Sequence, residues 1–459
     1  MVNKNVITVI DGEAGSCGKA KVAGEIATDK SINLGASVTN CMPNAGHTFV
    51  GEDNKSIVFR NIPVACVNPN TELFIGPGSA IDMDVFADEY NRVKDLLNGR
   101  KIYVHEMVPL IEDRHKEYER AHIKSGSTFK GCGAVTQEKI IRDKKLEFYK
   151  TFKDAVVCSN DEWLDRLYSH LDNNNEYVML EGAQGCDLDL NHSGNYPYVT
   201  SRNVSTTQLL ADSGISAERL LQTIMVVRPF PIRISNVTKD GNIIYTGAYG
   251  RGEELTWTDI NIASMFGFYP YKGLVNEFSI DDEYYDICDF IEGDLRRCPE
   301  IYLMQVFGEN FNNIKPEDVS LIQALEIERL YHKSIGDKCY ESVYIDLPLI
   351  DSKDKPTCIY DQSEQTTVTK MERRVFDLDI NKLKNNCRIN NPSSLYLNFF
   401  QHLSYNHKGL KGNYEDIYFD KPLREYMSWL EESTGVDISV LGTGARNDEK
   451  ILKKELILR

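Results

Sequence analysis

The chain lacks the marks of several large protein classes. Eleven cysteines occur, yet there is no CxxC pair and no His/Cys cluster at zinc spacing. An odd number of scattered thiols fits reduced cysteines better than a disulfide framework. No apolar run approaches the ~18 residues of a membrane-spanning helix. The polar start, Met1-Val-Asn-Lys-Asn5, leads into a run too short for a signal-peptide core. Repeats and low-complexity linkers are missing. Positive charge is in deficit, with 52 Lys and Arg against 69 Asp and Glu and a net charge of −17. That balance excludes a nucleic-acid polymer as the main partner and leaves room for a local basic pocket. The expectation is a soluble cytoplasmic protein with no membrane partner. A Walker A loop is absent too. Gly18-Lys19 would need a glycine where Glu13 stands and a hydroxyl where Ala20 stands.

What is present is ordinary globular composition, 41% hydrophobic and 26% charged over 459 residues. That length suits two or three domains or one large α/β domain. Val6–Ile10, Ser56–Arg60, Glu72–Ile75, Lys101–Val104, Tyr177–Leu180 and Thr223–Val227 read as strands. Asp82–Leu97 and Asp161–Leu171 read as amphipathic helices. Strand-helix alternation predicts an α/β fold, a large mainly parallel central sheet with flanking helices. Ligands in such folds lie beyond the strands' C-terminal ends. Residues 250–355 differ, being acidic and aromatic, as in Asp281-Asp-Glu-Tyr-Tyr-Asp286. They stand apart in composition from 1–249 and 356–459.

Four motifs carry chemistry. Gly12-Glu-Ala-Gly-Ser-Cys-Gly-Lys-Ala-Lys21 lies between a strand and the helix-like Val22–Ala27. Strand, glycine-rich turn and helix N-terminus together point N–H groups at a phosphate. The bland alternative is a structural turn with a surface lysine. In Asn44-Ala-Gly-His-Thr48, Gly46 permits close backbone approach. His47 suits a general acid or an oxyanion stabiliser, or else a structural histidine. Glu181-Gly-Ala-Gln-Gly185 and Tyr196–Asn203 follow a strand. There Gln184 and Thr200 suit a base edge or a phosphate, unless the segment is only a turn-rich connector. Glu364-Gln-Thr-Thr-Val-Thr-Lys-Met-Glu-Arg-Arg374 sets threonines beside arginines, which suits a carboxylate; otherwise it is a charged loop.

Together and in this order, these motifs resemble adenylosuccinate synthetase over roughly 1–245 and 360–459. It is this family resemblance that makes residues 250–355 an inserted subdomain of unknown role between two catalytic segments, 1–249 and 356–459. The family joins aspartate to a 6-oxopurine nucleotide after a nucleoside triphosphate phosphorylates the purine O6. The resemblance gives Lys19 the neutralisation of the migrating phosphoryl group and His47 the stabilisation of O6 charge. Gly46 would offer a carbonyl to Mg²⁺. Asn44, Thr128, Gln184 and Thr200 would contact the substrate nucleotide. Arg142 would reach the nucleotide phosphate of a partner subunit, implying a homodimer. Thr369 and Arg373 would hold the aspartate carboxylate. Gly15, Gly18, Lys21, Gly442, Thr443 and Gly444 would surround the donor nucleotide.

Three departures sharpen the reading. Ser16 replaces the family aspartate that acts as catalytic base and helps hold Mg²⁺, and an unaided serine cannot be a base. Phage enzymes of this kind that take dGMP carry serine here, where a short hydroxyl leaves room for the guanine 2-amino group. For such a virus the setting is the host cytoplasm. Gln401, in Asn398-Phe-Phe-Gln401, replaces an aspartate that reads the guanine of GTP. A glutamine both donates and accepts, which suits adenine and predicts ATP or dATP as donor. Phe399 and Phe400 read as core aromatics, with stacking as the alternative. Met371 stands where the family has a second arginine, leaving the amino-acid co-substrate open. The leading expectation is a ligase acting on dGMP. The alternatives are a synthetase acting on IMP and a non-catalytic nucleotide-binding homologue.

Overall fold

The computed structural model describes residues 2–123, 127–239, 242–252, 254–257, 260, 264, 362–365, 371–419 and 421–457. Nearly all of residues 250–355, the expected insertion, lies outside them, as does Thr369. By contacts the chain forms two units, Met1–Leu255 with Glu364–Gln401 and His407–Arg459, and Thr256–Ser363 with His402–Asn406. All four sequence motifs fall in the first unit.

Its frame is an eleven-stranded sheet. The strands are β1 (Val6–Asp11), β2 (Leu34–Thr39), β5 (Glu72–Ile75), β6 (Ile102–His105), β7 (Ala155–Cys158), β8 (Tyr177–Glu181), β9 (Leu220–Val227), β15 (Ser394–Leu397), β16 (Gly412–Asn413), β17 (Ile438–Gly442) and β18 (Lys450–Leu452). Their order is β16-β18-β17-β15-β9-β1-β8-β2-β5-β6-β7, and every pairing is parallel except β17 with β18. The expected mainly parallel sheet is what forms. All six residues of β1 are buried, as a central strand covered on both faces requires. A small antiparallel sheet joins β10 (Ile232–Arg233), β14 (Arg374–Phe376) and β13 (Glu254–Leu255), and β11 (Val237–Lys239) pairs with β12 (Asn242–Ile244).

The helices that cover the central sheet follow from their sequence. In α2 (Met83–Leu97), Phe86, Tyr90, Val93 and Leu97 fall on one face and are buried. Asp82 caps its start by accepting the amides of Asp84 and Val85. In α5 (Asn160–Leu171), Trp163, Leu167 and Leu171 are buried, and Ser159 caps by accepting the Glu162 amide.

One expected strand falls elsewhere. Ser56–Phe59 (β4) does not join the central sheet; it pairs antiparallel with β3 (His47–Val50). Three amides at the foot of this hairpin, from Arg60, Asn61 and Ile62, donate to the buried Glu89 carboxylate, so α2 fixes its position.

Candidate active site

Six neighbouring parallel strands, β17, β15, β9, β1, β8 and β2, end on the same edge of the sheet. After them come Thr443, Asn398, Arg228, Gly12, Gly182 and Asn40, so the separate sequence motifs meet along one edge. This is where a doubly wound sheet binds ligands.

The glycine-rich loop is built around Asp11, the last residue of β1. Its buried carboxylate accepts the amides of Glu13 and Gly15 at 3.0 Å and of Cys17 at 2.8 Å. Gly15 and Gly18 take φ of +98° and +90°, a region open chiefly to glycine. Gly18 then starts α1 (Lys19–Thr28). Lys19 Nζ lies 3.3 Å from Asp11 Oδ2 and donates to the Gln184 carbonyl at 2.6 Å. Lys19 and Gln184, from separate motifs of the sequence, are thus brought together. Beneath the loop, burial pushes the Glu13 carboxyl up to about 8. Burial also drives the Cys17 thiol well above its ordinary range, so this cysteine is no nucleophile.

His47 opens β3. The Arg60 guanidinium holds the preceding turn by donating to the carbonyls of Pro43 and Ala45 at 2.8 and 3.1 Å. Enclosure of the ring, with the Lys19 cation nearby, lowers the imidazole to about 3. A histidine so placed is neutral at pH 7. Of the two roles the sequence leaves open, stabilising a developing oxyanion is the one that a neutral imidazole N–H can serve.

Ser16 is half-buried, and two guanidinium groups meet it. Arg373 Nη1 donates to its hydroxyl at 3.0 Å, and Arg228 Nη1 to its carbonyl at 3.2 Å. Arg228 is buried, stacks 4.0 Å over the Phe399 ring and donates from both Nη atoms to the Glu364 carboxylate. Its amide donates to Glu13 at 2.9 Å. Arg374 turns elsewhere, to Glu254, Asn236 and the Gly247 carbonyl. Met371 is 40% exposed and brings no charge.

Asn398 joins the loop to the β17 turn. Its amide donates to the Cys17 carbonyl at 2.9 Å. A Cβ on Gly18 would lie 2.2 Å from its Nδ2, and one on Gly442 2.1 Å from its Oδ1. Phe400 is fully buried, the expected core role, whereas Phe399 takes the Arg228 stack. The Gln401 Oε1 is buried and has no hydrogen-bond partner among the described residues.

Of the remaining site residues, Lys21 is buried, paired with Glu25 at 3.1 Å and donating to the Arg446 carbonyl. It therefore anchors the turn of Gly444 from below. The Thr443 hydroxyl turns inward to the Leu410 carbonyl at 2.6 Å. Gly46 and Thr128 are exposed, Asn44 is half-buried, and the Thr200 amide donates to the Leu188 carbonyl at 2.8 Å. Thr128 precedes α4 (Cys132–Ile141), whose start is held by Glu119 of α3 (Asp113–His122) through the amides of Gly131 and Gly133. Arg142 caps the far end of α4 and is exposed, beside Ile140 and Ile141 at 72% and 60% exposure. Asp11 and Arg228 lie outside the motifs the sequence reading quotes, and Glu364 and Asn398 lie inside them with no role assigned, yet all four brace the loop. A charged or amide residue directly after an apolar strand would have flagged Asp11, Arg228 and Asn398.

The profile of the adenylosuccinate synthetase family matches residues 13–162 and 143–239. The N6-succino-2-amino-2'-deoxyadenylate synthase of Vibrio phage phiVC8 is 33% identical over 270 residues, 56% of this chain and 74% of that protein. The adenylosuccinate synthetase of Pyrococcus horikoshii is 29% identical over 279 residues, 56% of this chain and 78% of that protein. Among solved structures, the succinoaminodeoxyadenylate synthetase of cyanophage S-2L, bound to dGMP and dATP, superposes with a TM-score of 0.65 at 21% identity. That superposition covers 98% of this chain and 95% of the other, and it speaks for the fold.

Proposed function

This chain belongs to the adenylosuccinate synthetase family, and we propose that it joins L-aspartate to C6 of dGMP, with ATP or dATP as phosphoryl donor. The product is 2-amino-deoxyadenylosuccinate. The observation that carries the choice of guanine is Ser16: at the tip of the phosphate loop a neutral hydroxyl stands where an IMP-using site needs a carboxylate. The phage synthases named for this product support it.

The chemistry follows from the residues. The purine O6 attacks the γ-phosphorus; an O6–P bond forms, the bond to the β-phosphate oxygen breaks, and the N1 proton is lost to solvent water. Lys19, at the N-terminus of α1, offsets charge on the moving phosphoryl group. The neutral His47 donates to O6 as charge develops there. The aspartate amine then attacks C6 and inorganic phosphate leaves, while Arg373 holds the amino acid by its carboxylate. The family resemblance gives Mg²⁺ two neutral hard donors, the Gly46 carbonyl and the Ser16 hydroxyl, the latter also accepting from Arg373. They fit an ion that keeps waters and substrate phosphates as its other ligands. Among the described residues no cluster of three or more His, Cys, Asp or Glu offers a fuller cage. When bound, the ion neutralises phosphate charge.

The exposed pair Ile140–Ile141 beside Arg142 supports a homodimer in which Arg142 serves the partner's nucleotide. The structure carries no transmembrane-length apolar helix among the described residues.

The test is phosphate release with Mg²⁺, ATP and aspartate, comparing dGMP with IMP. Release with dGMP and not with IMP is expected. Release with IMP alone would make the chain an ordinary adenylosuccinate synthetase.

A further inference from the structure

Ser16 has two neighbours that the purine does not explain. Its hydroxyl accepts from Arg373 at 3.0 Å and its carbonyl from Arg228 at 3.2 Å. Arg373 is itself tied to the segment it belongs to, its amide donating to the Glu364 carbonyl at 2.7 Å and its Nε to the Gln365 carbonyl at 3.4 Å. Glu364 in turn is held by both Nη atoms of the buried Arg228. The phosphate loop and the segment from Glu364 to Arg374 are therefore joined directly through Ser16 and braced by the Arg228–Glu364 ion pair, whose arginine is buried.

We propose that Ser16 is a specificity residue for the amino acid as well as for the purine: its hydroxyl orients the Arg373 guanidinium without neutralising it. The proposal rests on the reading of the chain as an aspartate ligase. A hydroxyl accepts a hydrogen bond and carries no charge, so Ser16 adds no counter-charge to Arg373 beyond the influence of the Glu364 carboxylate. A carboxylate at position 16 would form a charge-assisted pair with the same guanidinium and cancel its charge. The point matters more here because Met371 is uncharged and Arg374 is committed to Glu254, leaving Arg373 as the guanidinium of this segment that faces Ser16. The Arg228–Glu364 pair acts as a positioning element that keeps Arg373 at this distance.

The experiment measures the aspartate KM and kcat of wild type, Ser16→Asp, Ser16→Ala, Ser16→Thr and Glu364→Gln, each with dGMP and with IMP at saturating ATP. Thermal melting verifies that each variant is folded. Ser16→Asp is expected to raise the aspartate KM by about tenfold or more with either nucleotide, because a charge-assisted pair must be broken. Ser16→Ala is expected to raise it about threefold, while Ser16→Thr, which keeps the hydroxyl, stays near wild type. Glu364→Gln should raise the aspartate KM while the nucleotide KM stays near wild type. A Ser16→Asp enzyme with altered purine preference and an unchanged aspartate KM overturns the proposal. If wild type uses IMP and not dGMP, the purine assignment falls and the aspartate comparison still decides this proposal. If no 6-oxopurine nucleotide gives aspartate-dependent turnover, both fall.

Discussion

Gln401 offers a sharp test of donor choice. Its Oε1 is buried and unpartnered among the described residues, at the end of a segment that Asn398 fastens to both the phosphate loop and the β17 turn. Leaving such an acceptor unpaired costs about 1–3 kcal/mol. An adenine amino group returns that bond, and the Gln401 amide nitrogen can serve a ring nitrogen of the same base. A guanine presents an oxygen at the same place and meets one acceptor with another. At about 1.4 kcal/mol per tenfold, the structure predicts a preference for ATP over GTP of roughly 10- to 100-fold in kcat/KM. Gln401→Ala removes donor and acceptor together and should bring the ratio near one. Gln401→Asp presents a carboxylate to the two N–H donors of guanine and should turn the preference towards GTP. The assay is phosphate release at fixed dGMP and aspartate, with the donor varied. An ATP-to-GTP ratio that stays at the wild-type value in both variants would refute the reasoning.

Other outcomes come from the same geometry. Gly18→Ala forces a left-handed backbone on a residue with a side chain, at about 1–2 kcal/mol, and breaks the Asn398–Cys17 hydrogen bond, at about 1 kcal/mol. Denaturant melts should show the combined loss, and the ATP KM should rise. His47, depressed to about 3, is neutral in the folded chain, so stability is full above pH 6.5 and falls as an unfolded-state histidine protonates below it. His47→Ala should flatten that acid limb and abolish turnover while nucleotide binding persists. His170 is the opposite case. Burial opposes its charge, but the hydrogen bonds its ring donates to Glu72 and Glu176, at 3.2 and 2.6 Å, raise it overall. Its contribution is complete below pH 6.5 and fades as pH rises through the raised value, so His170→Gln should cost more stability at pH 6 than at pH 9. Mixing inactive Arg142→Ala with inactive His47→Ala protein should restore activity through hybrid dimers; no restoration would count against a shared site.

The framework was legible in the sequence because parallel strands are apolar runs and the covering helices are amphipathic. Val6–Ile10 and Thr223–Val227 became neighbours at the centre of the sheet, and Phe86, Tyr90, Val93 and Leu97 marked the buried face of α2. The short run Ser56–Arg60 misled, since four residues pair equally well in a hairpin and in a sheet. Lys19, Gln184 and Arg373 could be picked by residue type and motif, and Ser16 by its departure from the family pattern. Their pairing could not, because it depends on which strands are adjacent. Asp11 and Arg228 passed unnoticed for the same reason, each drawing its meaning from amides and carboxylates distant in sequence. The lowered His47 was equally invisible: a histidine's charge is set by its enclosure and by Lys19, and neither is written beside it. The Glu181 of the third motif proved structural, accepting the amides of Val64 and Ala65 and the Ser37 hydroxyl.

The most direct measurement is a competition. Equimolar dGMP and IMP are given to the enzyme together with Mg²⁺, ATP and aspartate, and the succinylated products are separated and weighed by mass spectrometry. The account predicts 2-amino-deoxyadenylosuccinate in large excess. Adenylosuccinate as the main product would contradict it.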